Sequence, residues 1–197
     1  GRGLLQHGQL HPLEQDVAEL LGRAQVERLP RRLMRLLLEH PRQLQYLVEN
    51  PDKIGNACEE ILRYNTAFIS MRRTAMEDAE VGGRQLKKGD KVIMHYHTVN
   101  HDESIFGADA MEFDVTRAER MPDLYNQHRA FGVGQHFCLG THLARLELRV
   151  MFEEIIPRLR NPVLVRDVDY TRSNLVNGIK RMYITFDPET TRLRDCA

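Results

Sequence analysis

Apolar residues recur at helical spacing through the first third of the chain. A leucine-rich stripe over residues 33–37 predicts a helix that stops before Pro41. Residues 41–49 and 53–64 predict two more helices, and an Asn-Pro-Asp turn at 50–52 separates them and suits the start of the second. The chain is therefore expected to open with a helix-rich region.

The pattern then becomes extended, with short apolar runs between turn residues. Glycines at 82–83 and a Lys-Gly-Asp turn at 88–90 suit hairpin connections. In the last run Val92, Met94 and Tyr96 alternate with the residues between them, so one face is apolar. These features predict a small antiparallel sheet built from four runs: residues 69–74, 80–81, 84–86 and 91–96.

The last part of the chain combines one long helix with a second extended region. Residues 139–156 have helical periodicity, and Pro157 is expected to end that helix. Two extended runs follow between residues 163 and 186, and residues 173–178 between them predict a hairpin tip. The whole pattern predicts an α+β fold that is mainly helical.

Composition narrows the class of protein without identifying its chemistry. The chain of 197 residues is 42% hydrophobic and 28% charged, which is enough for one buried core. Its 28 basic and 28 acidic residues give zero formal net charge, so the overall charge does not indicate nucleic acid or an anionic membrane as a partner. No apolar run approaches the roughly 20 residues that span a bilayer, so we expect no membrane segment.

The three cysteines are Cys58, Cys138 and Cys196, and their wide spacing fits neither a disulfide framework nor a zinc site. This usage favours a reducing compartment, so we expect a cytoplasmic protein. Cys138 has distinctive surroundings, because it lies between a glycine-rich loop and the predicted helix start, where a thiolate is favoured. Such a thiolate is suited to bind an iron from one side. A lone cysteine is more often a small buried apolar residue, which is the alternative.

The sequence FGVGQHFCLGTHLAR, residues 131–145, resembles the haem-binding signature of the cytochrome P-450 family, the haem-thiolate monooxygenases. Seven positions of that signature are met in register: Phe131, Gly132, Gly134, His136, Cys138, Gly140 and Ala144. The resemblance implies the cytochrome P-450 fold, represented by its C-terminal haem-binding half with small antiparallel sheets. It also implies haem b as the cofactor, with Cys138 as the protein ligand of the iron and the other six as cofactor-binding residues.

Glu60 and Arg63 stand three residues apart on one predicted helix, where a carboxylate and a guanidinium can pair. From the spacing alone, a solvated surface ion pair that contributes little stability is the simpler interpretation. The cytochrome P-450 resemblance implies instead a buried pair that Arg117 completes as the third member of a structural triad.

Three side chains, one of them already in the signature, match positions at which the family binds the haem propionates. Arg73, within an Arg-Arg-Thr-Ala segment, is one of them, although an exposed strand arginine is equally consistent with its spacing. His128 and His136 fall where the family places further propionate contacts. The resemblance therefore implies that these three side chains bind the cofactor.

A group of histidines, His95, His97 and His101, raises the alternative of a metal site. Their placement in an extended and irregular stretch gives neither a helical pair nor a known zinc-finger spacing, which disfavours that interpretation. His101 also stands where the resembled family usually has an arginine.

The resemblance implies an apolar substrate wall made from two segments, one after the Glu60–Arg63 helix and one at the hairpin tip. For any single residue of this set, plain core packing is the simpler interpretation. The expected wall residues are Ala67, Phe68, Ile69, Met71, Leu175 and Val176.

The match to the family is confined to part of the chain. We expect residues 33–197 to form the haem-binding part of a cytochrome P-450 domain. Counted back from His40, the family's oxygen-activating helix falls on residues 21–26, where only the glycine agrees with its motif, and Pro30 would break that helix. Residues 1–32 are therefore expected to be a divergent or truncated remnant of the oxygen-activating region.

Together these matches imply a haem-thiolate monooxygenase. It would insert one oxygen atom from O₂ into an apolar small molecule such as a terpene, a steroid or a lipid. A ferredoxin or a flavin-type reductase would supply the electrons. The alternative is a truncated, catalytically inactive remnant that at most binds haem.

Overall fold

The computed structural model of the protein describes the backbone of residues 28–187 and the side chains of residues 33–187. The expected remnant at residues 1–32 therefore lies outside the described residues, except for the backbone from Arg28 onward. The helices are α1 (Arg28–Glu39), α2 (Pro41–Glu49), α3 (Ile54–Tyr64), α4 (Tyr96–Val99), α5 (Glu103–Phe106), α6 (Arg117–Arg120), α7 (Leu124–Gln127) and α8 (Thr141–Ile155). The strands are β1 (Ser70–Thr74), β2 (Ala79–Val81), β3 (Arg84–Leu86), β4 (Lys91–His95), β5 (Arg160–Leu164), β6 (Asp169–Tyr170), β7 (Ile179–Arg181) and β8 (Ile184–Asp187).

The predicted helices of the first third are present, with small shifts at their ends. Helix α2 matches the prediction, whereas α3 begins at Ile54 because the three residues that follow Asn50 form a 3₁₀ turn. The expectation that Pro30 breaks a helix running on from residues 21–26 concerns a segment outside the described residues. Within them, Pro30 is part of α1, which begins at Arg28. It lies in the first turn of the helix, where a missing N–H costs no intrahelical hydrogen bond.

Helix α8 is shorter than predicted at both ends. It begins at Thr141 rather than at Leu139, because Thr141 donates its N–H to the carbonyl of Cys138 and Gly140 occupies the N-cap position. The regular helix ends at Ile155, and Pro157 lies in a 3₁₀ turn that follows it. The missing N–H of proline explains why the α-helix does not continue.

Within the described residues, the strands pair as four separate two-stranded antiparallel sheets: β1–β4, β2–β3, β5–β8 and β6–β7. The prediction of one sheet from the four early runs was therefore wrong, because β2 and β3 pair only with each other. The alternation predicted for β4 is confirmed, since Val92 and Met94 are half-buried and their neighbours are exposed. The final region has four strands rather than two, and the predicted tip lies between β6 and β7.

The main core lies where α1, α2 and α3 meet α8. Leu33 and Leu37 of α1, Ile61 of α3, and Leu148 and Phe152 of α8 are buried almost completely. Burial of one such side chain contributes about 1.5–3 kcal/mol. This packing fixes α3 and α8 relative to each other, and these two helices carry the polar groups that organise the rest of the structure.

A buried ion cluster joins α3 to α6. The guanidinium of Arg63 donates from Nε and Nη2 to the two carboxylate oxygens of Glu60, at 2.7 and 2.8 Å. Nε of Arg117 lies 3.2 Å from the same carboxylate, and none of the three side chains has exposed surface. The structure therefore brings the three residues of the expected triad together in the interior rather than on the surface.

The remaining N–H groups of the two arginines hold the irregular segment between α4 and α6. Nη1 of Arg63 donates to the carbonyls of Asn100 and Ala110, at 2.6 and 2.8 Å. Nη2 of Arg117 donates to the carbonyl of Asp109 at 2.8 Å. These carbonyls lie outside regular helices and strands, and the guanidiniums give them charged hydrogen-bond donors that fix the path of the segment.

Replacing Glu60 with alanine should leave two buried guanidinium groups without their shared carboxylate. Removing one partner of a buried ion pair typically costs about 3–5 kcal/mol, so Glu60→Ala should lower the free energy of unfolding, measured with urea, by about that amount. Glu154→Ala is the matched control, because Glu154 pairs with Arg158 where both side chains are about half exposed, and such pairs contribute little. Equal destabilisation by the two substitutions would contradict a structural role for the triad.

Asp109 makes the stability of this cluster depend on pH. Its hydrogen bond with Arg120 is the main cause that lowers the pKa of Asp109 to about 2, while burial opposes the shift and Arg117, at 3.2 Å, adds to it. An unperturbed aspartate has a pKa of about 3.9, so the folded state binds this proton less readily than the unfolded state. The stabilisation is therefore present above about pH 4 and is lost as the pH falls toward the folded-state pKa.

Asp109→Asn should consequently be less stable than the unmodified protein at neutral pH. Its free energy of unfolding should also fall less steeply between about pH 4 and pH 2, because the proton-linked part has been removed. Urea unfolding curves recorded across this pH range test both statements. Parallel pH profiles for the two proteins would show that Asp109 does not carry the linkage.

Candidate functional site

Both backbone groups of Cys138 make hydrogen bonds, one within residues 131–140, which we call the cysteine loop, and one to the first residue of α8. The N–H of Cys138 donates to the carbonyl of Phe131 at 2.9 Å. The carbonyl of Cys138 accepts from the hydroxyl of Thr141 at 2.6 Å and from its N–H at 3.4 Å. Gly132 has a φ of 78°, in the left-handed region that favours glycine, so the path of the loop depends on this residue.

Cys138 is exposed, and glycines and apolar residues flank it along the chain. A side chain added at Gly140 would begin 3.9 Å from Sγ of Cys138, and one added at Gly134 would meet no atom within 4 Å. Phe137 and Leu139, on either side of the cysteine, are exposed apolar residues. An accessible sulfur beside glycines and apolar side chains fits a planar haem whose iron is bound by Cys138.

Cys138 and Cys58 differ in accessibility. Cys138 is exposed, whereas Cys58 in α3 has only 2% of its surface exposed. Burial, together with the nearby carboxylates of Glu59 and Glu153, raises the pKa of the Cys58 thiol to about 12, so it stays protonated at neutral pH. Cys196 lies outside the described residues. Among the described cysteines, Cys138 is thus the one suited to bind a metal from solvent.

The expected position of Cys138 at a helix N-terminus needs a correction. The cysteine precedes α8 by three residues, and the two residues between them form a turn. His136 lies in a 3₁₀ turn on the other side of the cysteine and is exposed. Ala144 is half-buried in the first turn of α8, and its N–H donates to the carbonyl of Gly140 at 2.9 Å.

The pairing of β1 with β4 places Arg73 and Arg72 on opposite faces of this two-stranded sheet. Arg73 lies opposite Val92, and Met71 lies opposite Met94, so these two pairs share one face of the sheet. Arg72 lies on the other face. Arg73 is exposed, and its Nη1 donates only to the neighbouring Arg72 carbonyl, at 3.2 Å, among the hydrogen bonds of the described side chains. The arginine that the resemblance selects is therefore the one on the face of the expected substrate wall.

His128 is placed differently from the other expected propionate contacts. Its side chain is 1% exposed, and its Nε2 lies 2.9 Å from a carboxylate oxygen of Glu59. Its Nδ1 accepts the N–H of Ala130 at 3.3 Å. Because both ring nitrogens have protein partners, the geometry gives no support to His128 as a propionate ligand.

The two segments of the expected substrate wall lie side by side. Phe68 and Val176 form an isolated β-bridge, and the N–H of Ile69 donates to the carbonyl of Leu175 at 3.0 Å. The N–H of Asn177, the residue after Val176, donates to the carbonyl of Ala67 at 3.0 Å. Phe68 and Leu175 are exposed and the other expected wall residues are half-buried, so the set presents apolar surface rather than a closed core.

The histidines between β4 and α5 do not form a metal site among the described residues, where no cluster of His, Cys, Asp or Glu is arranged to bind a metal ion. Nδ1 of His95 lies 3.0 Å from the hydroxyl of Thr98, and Nδ1 of His101 lies 2.8 Å from the carbonyl of His97. Burial lowers the pKa of His101, and Arg63 and Arg117 lower it further, although the hydrogen bond to His97 opposes the shift. These rings serve local packing and hydrogen bonding.

Sequence reasoning missed three residues that position the site. Asn100 accepts the N–H of Arg129 on its side-chain oxygen at 2.6 Å, which ties the ion cluster to the start of the cysteine loop. Thr141 is buried and holds the Cys138 carbonyl, and Glu59 binds two side chains near the loop. The sequence signal for Thr141 was its position three residues after Cys138, because a hydroxyl at that spacing can donate to the carbonyl of the cysteine. No local pattern marks the other two.

Comparison with known proteins agrees with this geometry. The sequence profile described as cytochrome P-450 matches residues 54–186. Linalool 8-monooxygenase from Pseudomonas putida is 40% identical over 153 residues, which cover 78% of this chain and 36% of that protein. A steroid C26-monooxygenase from Mycolicibacterium smegmatis is 40% identical over 154 residues, with coverages of 77% and 37%. Among solved structures, cytochrome P-450-153 from Novosphingobium aromaticivorans gives a TM-score of 0.74 at 33% identity, over 81% of this chain and 39% of that one.

The chain spans a little over a third of the length of these relatives. The matched region runs from the start of α3 into β8 and includes the ion cluster, the cysteine loop and α8. None of the helices in residues 28–187 is long and apolar enough to cross a membrane. On the extent of the family match and the likeness to these relatives, the chain belongs to the cytochrome P-450 family.

Proposed function

We propose that this chain binds haem b through Cys138 and forms part of a monooxygenase that inserts one oxygen atom from O₂ into an apolar small molecule. The observation that carries the proposal is the exposed Cys138, whose two backbone groups are held by Phe131 and Thr141. When bound, haem supplies the iron chemistry that activates O₂. The balanced reaction consumes a substrate C–H bond, O₂, two electrons and two protons, and yields a C–OH group and water.

The protein residues have separate tasks in this proposal. Cys138 supplies the thiolate, and Thr141 and the Phe131 carbonyl hold its backbone. Arg73 and His136, both exposed, bind the propionates as charged or hydrogen-bonding partners. The apolar positions of the cysteine loop exclude water from the bound face of the haem.

The substrate is proposed to be a terpene, a steroid or a lipid-like molecule. The half-exposed apolar wall around the Phe68–Val176 bridge supports this class, since apolar ligands bind to concave apolar surfaces with few polar groups. Two relatives are named for linalool and for the C26 position of steroids, which agrees with an apolar substrate. A ferredoxin or a flavin-type reductase would deliver the electrons, and the widely spaced cysteines favour the cytoplasm as the location.

Cys138→Ala should abolish the thiolate-type spectrum of the reduced carbon monoxide complex, because no other accessible cysteine lies in the described chain. The measurement uses haem-loaded protein expressed from its complete gene. Cys58→Ala is the control and should keep the spectrum, since the buried Cys58 thiol is away from solvent. A thiolate-type spectrum that survives in Cys138→Ala would overturn the ligand assignment.

Arg73→Ala should accelerate loss of haem to an excess of a haem-scavenging apoglobin. A hydrogen bond to a charged group contributes about 1.5–3 kcal/mol, so the dissociation rate should rise by about tenfold or more. Arg72→Ala removes the same charge from the opposite face of the sheet and should change the rate little. A similar acceleration in both variants would mean that general charge, and not the position of Arg73, retains the haem.

A further inference from the structure

A second, nearly buried ion pair lies beside the triad and connects α3 to α8. Nε of Arg145 donates to Oε1 of Glu59 at 2.8 Å, and Nη2 donates to Oε2 at 2.9 Å. The side chain of Arg145 is only 12% exposed and that of Glu59 only 13%. His128 adds a third contact to the same carboxylate. The planar two-point geometry fixes both the position and the orientation of the guanidinium.

The guanidinium of Arg145 also stacks on two aromatic rings. Its central carbon lies 3.6 Å from the ring centre of Tyr125 and 4.7 Å from that of Phe131. Nη1 of Arg145 is buried and has no hydrogen-bond partner among the described residues. An unpaired buried N–H group costs free energy, so the stacked orientation is kept at the expense of a hydrogen bond.

Phe131 connects this pair to the cysteine. Its ring packs against Arg145, and its carbonyl accepts the N–H of Cys138 at 2.9 Å. A continuous set of contacts therefore runs from Glu59 through Arg145 and Phe131 to the backbone of Cys138. The ionised state of Glu59 is consistent with this role, because hydrogen bonds from His128 and Arg145 lower its pKa although burial favours the opposite shift.

We propose that Glu59 and Arg145 form a positioning clamp that keeps Cys138 in place as a thiolate ligand. The clamp holds the Phe131 ring against α8, and the Phe131 carbonyl then holds the amide of the cysteine. Glu59 and Arg145 are positioning residues, since they act through Phe131 and do not touch the sulfur. The inference rests on the proposed function in one respect, namely that Cys138 binds the haem iron.

The test compares variants in the haem-loaded protein expressed from its complete gene and reduced chemically under carbon monoxide. The readout is the rate at which the thiolate-type spectrum converts to the spectrum that lacks a thiolate ligand. Arg145→Lys keeps the charge but loses the two-point contact and the planar stack, and Glu59→Gln keeps the size but loses the charge. Arg149→Lys and Glu153→Gln are matched controls, because that pair lies one turn further along α8 on the exposed surface. The free energy of unfolding is measured in parallel.

We expect Arg145→Lys and Glu59→Gln each to accelerate the conversion by about tenfold or more, which corresponds to about 1.4 kcal/mol, while the control variants convert at the unmodified rate. Conversion at the unmodified rate in Arg145→Lys would overturn the clamp, because charge alone would then suffice. Acceleration that merely follows the loss of global stability across all four variants would overturn it too. A missing thiolate-type spectrum in the unmodified protein would overturn the proposed function and this inference with it, and so is distinguishable from failure of the clamp alone.

Discussion

The buried contact between one carboxylate and two guanidiniums is the constraint on which the irregular half of the fold depends. The segment between α4 and α6 has one short helix, α5, and several of its carbonyls outside regular secondary structure accept hydrogen bonds from side chains. Arg63 and Arg117 donate to those carbonyls, and Glu60 neutralises part of their charge without reaching solvent. Burying charges is costly unless every partner is present, so the cluster tolerates few alternative arrangements. Because other arrangements of the cluster are costly, the conformation of this loop region is fixed more tightly than apolar packing alone would fix it.

Helix α3 contacts both the buried ion cluster and the region of the cysteine loop through two consecutive glutamates. Successive residues of an α-helix point about 100° apart, so Glu59 and Glu60 face different neighbours. Glu60 holds the carbonyl-rich segment, whereas Glu59 reaches Arg145 on α8 and His128 before the cysteine loop. Asn100 links the two sides, because its carbonyl accepts from Arg63 and its side chain accepts from Arg129. One helix, anchored in the apolar core, thereby sets both the scaffold and the loop that carries Cys138.

The sequence was informative wherever a local pattern has a local cause. Helical periodicity located α2 and most of α8, and the spacing of Glu60 and Arg63 was sufficient for their contact. The burial of that pair could not be derived from spacing, because it depends on residues far along the chain and came only from the family resemblance. The division into four small sheets and the inward orientation of His128 were missed for the same reason. Pairing partners and buried contacts over long sequence separations leave little trace in periodicity.

The two described cysteines show how the environment, rather than the residue type, assigns chemistry. Cys58 and Cys138 have the same side chain, but Cys58 is buried in the core on α3, whereas Cys138 lies exposed on a loop. Burial raises the pKa of the Cys58 thiol to about 12 and keeps it away from solvent. Cys138 is exposed, and backbone hydrogen bonds rather than burial in the core fix its position. In its proposed role as a haem ligand, Cys138 must be both accessible and rigid, and the hydrogen bonds from its main chain to Phe131 and Thr141 meet the second requirement without covering the side chain.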